Sequence, residues 1–480
     1  MPYCAQIALI SCLSLAIGQN LALAKDAVQP AERVCPAQVG DGLKAIANQP
    51  QFQPARWGIA VQTLATGTTL YAQDAEKYFL PASTAKLLTT AASLQRLGAD
   101  FRWRTPVYGQ GSAPSLSRLT IAGQGDPSLS QAQLNALAQQ LHQQGVRQVQ
   151  TLVLDDSYFQ GDRINPTWEW EDTQSGDGAP VNSLIVDQNQ FEILARPQTV
   201  GQPLKLAFVD PRLSQQWQLA NTTRTVNADQ PEVITIERQA SLIKIGGQLQ
   251  TGAAPETIGV AVVNPAENFA QHFRQALSAQ QIQVGQTVIQ TQPTPVAGPE
   301  LAAIASPPLA EILKEINQNS NNLYAEALLK RLGMTSAQPS DQPTAAGLTV
   351  LAATLSALGI NPQFYQLADG SGLSRRNLVS PISLVQLLRA MQQTPSAKVF
   401  RDSLAIAGTN GTLAGRLPNL SLQVKTGSLT GVVALSGYLK PPQYEPVVFS
   451  LIVNQSGQPN PIVRQAIDQM VLLLNRLGPC

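Results

Sequence analysis

The chain has 480 residues, and its 32 Lys and Arg nearly cancel 31 Asp and Glu to leave a formal net charge of +1. That length gives a prior of about three domains with a sizeable buried core. The balanced charge, with no basic cluster able to track a phosphate backbone, argues against nucleic acid as a partner.

In chain order, residues 1–24 come first, with an apolar core from Ile7 to Gly18 and a small-x-small site at Ala22-Leu23-Ala24. This pattern predicts a signal peptide, an exported protein of the periplasm or cell envelope, and a mature chain opening at Lys25. The apolar core is shorter than a membrane span, and no later run approaches the roughly 20 apolar residues such a span needs. Removal of the signal takes Cys4 and Cys12 with it. Cys35 and Cys480 remain, one near each end, as candidates for a disulfide or for two free thiols.

A short helix is expected around GDGLKAIANQ, then a hairpin in RWGIAVQTLATGTTLYAQ, with Gly67 in the turn. PASTAKLLTTAASLQRLG follows as an apolar helix, with Ser83 and Lys86 at its mouth. From about residue 105 the texture changes to short strands punctuated by Gly, Pro and Asn, with one amphipathic helix in QLNALAQQLHQQG. A Pro-rich passage between residues 291 and 308 marks a boundary. Helical texture then returns, and the chain ends as strand, strand, strand, helix. Two early and three late strands can form one antiparallel sheet covered by helices. The expected fold class is therefore α+β, with a discontinuous main domain over 25–104 and 298–480. A β-rich insertion of one or two subdomains fills 105–297.

Ser-x-x-Lys occurs twice, at Ser83 and Lys86 and at Ser241 and Lys244. On a helix, residues three apart share a face, so Ser83 and Lys86 can act together. ITIERQASLIKIGG reads as a strand, where residues three apart face opposite ways, so Ser241 and Lys244 cannot readily meet. The chain has 2 His, His142 and His272, both in amphipathic helices of the insertion, and no Gly-x-Ser-x-Gly elbow. A Ser-His-Asp triad and a zinc site are disfavoured, and no metal or other cofactor is implied. A nucleophilic Ser83 would then need lysine as its base.

A lysine base must be neutral at attack, which costs about 4 kcal/mol from its ordinary pKa. Burial and a second nearby cation could supply it, which predicts a further lysine in the site. Lys425 fits, in a strand running into Lys425-Thr426-Gly427-Ser428. The small residues Gly427 and Ser428 would let an extended substrate lie along the strand edge. Ser320-Asn321-Asn322 precedes a helix and reads either as a capping cluster or as part of the same site.

Ser-x-x-Lys, Ser-x-Asn and Lys-Thr-Gly in this order resemble the penicillin-binding protein and serine β-lactamase superfamily. Ser83 and Ser320 are 237 residues apart, and an insertion of that size resembles the class C, low-molecular-mass penicillin-binding proteins of the penicillin-binding protein 4 type. GQGDPSL, LDDSYF, GAPVNSLIVDQN and DGSGLSRRNLVSP extend the likeness. The resemblance implies a β-lactamase/transpeptidase-like domain and a D-Ala-D-Ala carboxypeptidase, extending to endopeptidase action, on peptidoglycan stem peptides. β-Lactams would bind covalently. Ser83 would be acylated with Lys86 taking its proton, Ser320 and Lys425 would pass a proton to the leaving group, and Asn322 would hold the substrate amide. The backbone N–H groups of Ser83 and Ser428 would form the oxyanion hole, and Lys425 and Thr426 would bind the terminal carboxylate. Asp155, Phe159 and Arg375 would meet the stem's third residue. Where some relatives carry Gln, this chain has Thr430. A non-catalytic peptidoglycan binder and a serine β-lactamase are the alternatives.

Overall fold

The computed structural model describes residues 33–336 and 340–480; the expected signal segment, residues 1–24, lies outside the described residues. At its centre is an antiparallel sheet in the order Ala405–Ile406, Leu422–Leu429, Val432–Leu439, Val447–Asn454, Arg56–Thr63, Thr69–Gln73. The two middle strands are buried at every position, which explains their near-continuous apolar sequence. Along Val447–Asn454, Val447, Phe449, Leu451 and Val453 join one core while Val448 and Ile452 join the other. The sheet is thus covered on both faces. The first core packs under the terminal helices Val39–Ala47 and Asn460–Asn475. The second packs under Lys86–Leu97, Asn322–Gly333 and Pro381–Gln392. Cys35 and Cys480 are joined as a disulfide with Cα atoms 5.2 Å apart, beside a bridge from Val34 to Leu477.

The chain between the early and late strands builds two further cores. One is a five-stranded sheet, in the order Gln283–Gln290, Gln148–Asp155, Ser115–Ala122, Arg104–Ser112, Glu300–Ala305, packed against helices Gln131–Gln143 and Pro265–Ala279. The other is a pair of three-stranded sheets around Ile193, Ile243, Ile245 and Val260. Two sequence expectations need correction. Glu300–Ala305 pairs with Arg104–Ser112, so the return to the main sheet comes after Ala305 and not at residue 298. The prolines before residue 300 concealed a short strand. ITIERQASLIKIGG is also not one strand: Ala240 takes φ +49 in a turn between Val233–Gln239 and Leu242–Gln250. Lys244 lies 3.5 Å from Glu237 across that hairpin. Both histidines tie the two helices of the five-stranded unit, His142 to the Gln280 carbonyl at 2.7 Å and His272 to Gln131 at 2.5 Å.

Candidate active site

Ser83 lies in a 3-10 turn, Ala82–Ala85, that leads directly into the helix Lys86–Leu97. Ala82 has φ +47, a left-handed conformation that costs a non-glycine residue of order 1 kcal/mol or more and is kept only where its surroundings enforce it. Here two glycines leave room for it. A Cβ on Gly427 would come within 2.8 Å of the Pro81 carbonyl and 3.2 Å of Ala82 Cβ, and one on Gly372 would strike the Ala82 carbonyl. Gly427 therefore admits the nucleophile turn, a role different from the substrate clearance expected of it. Thr84 fastens the turn by donating its hydroxyl to the Pro81 carbonyl at 2.7 Å.

Lys86 is fully buried and its Nζ has three partners: Ser83 Oγ at 2.9 Å, Asn322 Oδ1 at 2.5 Å and the Ser371 carbonyl at 2.7 Å. Burial pulls its pKa down to about 8, against the opposing pull of Asp369, Asp177 and Glu326. Lys425 is also fully buried and gives hydrogen bonds to Ser320 Oγ at 2.9 Å and to the Thr426 carbonyl at 2.8 Å. Burial first, then the charge of Lys86, holds it well below the ordinary lysine value. The second cation expected near Lys86 is present. Desolvation, however, is the larger cause at both lysines, and carboxylates balance part of it at Lys86.

Ser320 has φ +64, and Asn321 caps the helix Asn322–Gly333 by accepting from the Tyr324 N–H at 3.1 Å. Capping and chemistry thus divide the tripeptide. Asn321 also donates to Gln188 Oε1 at 2.6 Å, and Asn322 to the Asp177 carbonyl at 3.0 Å. Asp177 and Glu326 escaped the sequence reading, and Gln188, Asp369 and Ser371 lay in GAPVNSLIVDQN and DGSGLSRRNLVSP with no role assigned to them. Glu326 lies one turn beyond Asn322, accepts from the Gly370 and Ser371 N–H groups at 2.9 and 2.7 Å, and is pushed up to about 8, chiefly by burial. The Gly-rich turn at Asp369 was visible in the sequence; its function as the seat of Lys86 needed three-dimensional contact.

The short edge strand Ala405–Ile406 pairs only with Val424 and Gln423. Beyond them, the outer edge of Leu422–Leu429 borders a cleft of about 1130 Å³ reached by Ser83, Ser320, Asn322, Thr426, Gly427 and Ser428. Thr426 Oγ1 lies 2.8 Å from Thr412 Oγ1, and Ser428 Oγ accepts from Asn460 Nδ2 at 2.9 Å. Asp155 and Phe159 stand elsewhere. Asp155 accepts from the Ser157 N–H at 3.0 Å, and Phe159 is 5% exposed against Gly125. Arg375 instead meets Glu169 at 2.9 Å and the Thr430 carbonyl at 3.3 Å, close enough to Asp172 on the cleft wall to act on its charge. The acidic partner of Arg375 is thus supplied by residues 169–172.

This fold and site are those of a D-Ala-D-Ala carboxypeptidase family. Residues 40–477 match the D-Ala-D-Ala carboxypeptidase 3 (S13) family, and the chain belongs to it. It is 34% identical over 453 residues to the D-alanyl-D-alanine carboxypeptidase of Actinomadura sp. (strain R39), covering 89% of this chain and 83% of that one. Penicillin-sensitive carboxypeptidase A of Dictyostelium discoideum is 30% identical over 458 residues, covering 88% of this chain and 87% of that one. Penicillin binding protein 4 (dacB) of Haemophilus influenzae shares the fold, with a TM-score of 0.75 at 24% identity, covering 91% of this chain and 99% of that one.

Proposed function

We propose that this chain is an exported serine DD-peptidase that removes the terminal D-alanine of peptidoglycan stem peptides through an acyl-enzyme on Ser83. The observation carrying the proposal is that two buried lysines each hold a serine hydroxyl at 2.9 Å beside one open strand edge. Neutral Lys86 takes the proton of Ser83 Oγ as that oxygen bonds to the carbonyl carbon of the penultimate D-alanine. Charge on the carbonyl oxygen is met by the N–H groups of Ser83 and Ser428. The C–N bond breaks, and the leaving nitrogen takes a proton through Ser320 and Lys425. Water then hydrolyses the ester and frees the shortened peptide. Cleavage of cross-bridges would follow the same steps with a larger leaving group. Asp172 on the cleft wall, with Arg375 beside the wall and acting on its charge, would offer an acid and a base to a stem residue whose side chain ends in both an amine and a carboxylate.

The test is intact mass spectrometry after incubation with a penicillin, together with D-alanine release from a pentapeptide. A stoichiometric adduct on the wild type, none on Ser83→Ala, and release that depends on Ser83 are expected. Adduct without release would leave a non-catalytic binder, and an adduct lost within seconds would indicate a β-lactamase.

A further inference from the structure

The leaving D-alanine ends in a carboxylate, and the resemblance assigned it to Lys425 and Thr426. Lys425 is poorly suited to be its charge partner. It is fully buried, already shared between Ser320 Oγ and the Thr426 carbonyl, and held well below its ordinary pKa. The counter-charge must therefore come from the cleft wall. That wall carries Glu171, Asp172, Asp177, Glu192 and Glu256, and among the described residues its basic side chains are Arg416 and Arg464 alone.

The two arginines differ in their commitments. Arg416 is bound through Nε and NH2 to Asp468 at 2.9 and 2.7 Å. Arg464 lies one turn along the C-terminal helix from Asn460, whose amide touches Ser428 Oγ and, at 3.0 Å, the Leu429 carbonyl. Among the described residues the Arg464 guanidinium makes no hydrogen bond or ion pair. The carboxylate that acts on it, Asp468, is already engaged by Arg416. Exposed on the wall of the cleft and repelled by Arg416, it is a cation short of an anion, free to pair with a carboxylate that enters the cleft.

We propose that Arg464 binds the free carboxylate of the leaving residue, with the paired hydroxyls of Thr412 and Thr426 orienting it. This rests on the DD-peptidase reading and supplies that site's selectivity for a C-terminal acid over an amide. The test is calorimetric binding to Ser83→Ala protein of N-acylated D-Ala-D-Ala as the free acid and as the C-terminal amide. The acid is expected to bind roughly 10 to 100-fold tighter, a difference lost when Arg464→Gln is added and partly kept with Arg464→Lys. Equal affinity for acid and amide, or a preference that survives Arg464→Gln, overturns the proposal. Absence of D-alanine release by the wild type would strike the catalytic reading separately, because this measurement does not require turnover.

Discussion

Lys86 has three hydrogen-bond partners and, as an ammonium, three N–H groups to offer them. As a neutral amine it has two, plus a lone pair. Asn322 Oδ1 and the Ser371 carbonyl can only accept, so the lone pair falls to Ser83, and loss of the proton converts Lys86 from a donor to Ser83 into its base. Burial lowers the pKa to about 8, a fall of about 3 kcal/mol in the favour of charge, close to what a lysine base was expected to need. Since the neutral form is the active one, the second-order rate of acylation by penicillin should rise with pH and level off above about 8. Asp177 holds that pKa up, so in Asp177→Asn the rising limb should move to lower pH, by about half a unit. Stopped-flow acylation across pH checks both, and a rate flat from pH 6 to 9 would exclude Lys86 as the base. The residue types of this relay were legible in the sequence from one helical spacing and one charge requirement. The functions of Glu326 and Asp369 were not, because their partners, the Gly370 and Ser371 N–H groups for one and Trp168, Asn377 and the Gly372 and Ser374 N–H groups for the other, are set by tertiary contact and carry no sequence period.

At the scale of elements, the site depends on how closely the nucleophile turn approaches the Lys-Thr-Gly strand. Gly427 is paired with Ala434 in the register of the sheet, so a side chain there has nowhere to turn. Its Cβ would lie 3.2 Å from both Ala434 Cβ and Ala82 Cβ, and 2.8 Å from the Pro81 carbonyl. Gly427→Ala should displace the 3-10 turn, reducing acylation at least about 100-fold at a stability cost of about 1–3 kcal/mol. Ser428→Ala keeps its backbone N–H, loses only the Asn460 contact, and should acylate within about 10-fold of the wild type. Equal effects of the two substitutions would argue against a steric role for Gly427. The strands themselves were readable from apolar alternation and turn residues. What the pattern concealed were Ala405–Ile406, too short for any period, and Glu300–Ala305, placed directly after prolines.

Across the whole molecule, the insertion is fastened to the catalytic machinery on one face, and the chain ends are fastened to each other on the opposite face. Asn165 donates to the Ala368 carbonyl and Trp168 Nε1 to Asp369 at 2.8 and 2.9 Å, beside the seat of Lys86. With the Asp177 carbonyl on Asn322, the insertion completes the site and does more than wall the cleft. The Cys35–Cys480 bridge belongs to the other face, beside the core under the terminal helices. It closes a loop of 445 residues, so its removal restores conformational freedom mainly to the unfolded chain. Cys35→Ser with Cys480→Ser should therefore cost roughly 2–4 kcal/mol and lower Tm by several degrees, with labelling of Ser83 by penicillin at 25 °C unchanged. Among the described residues, the two helices the bridge anchors contribute no hydrogen bond to Lys86, Ser83 or Ser320; Asn460 on Ser428 and Arg464 on the cleft wall reach the site from the first turns of Asn460–Asn475, far along the helix from Cys480. Calorimetry and a labelling time course on the same preparation check both halves; a labelling rate that falls with Tm would mean that the terminal helices also hold the strand end in register.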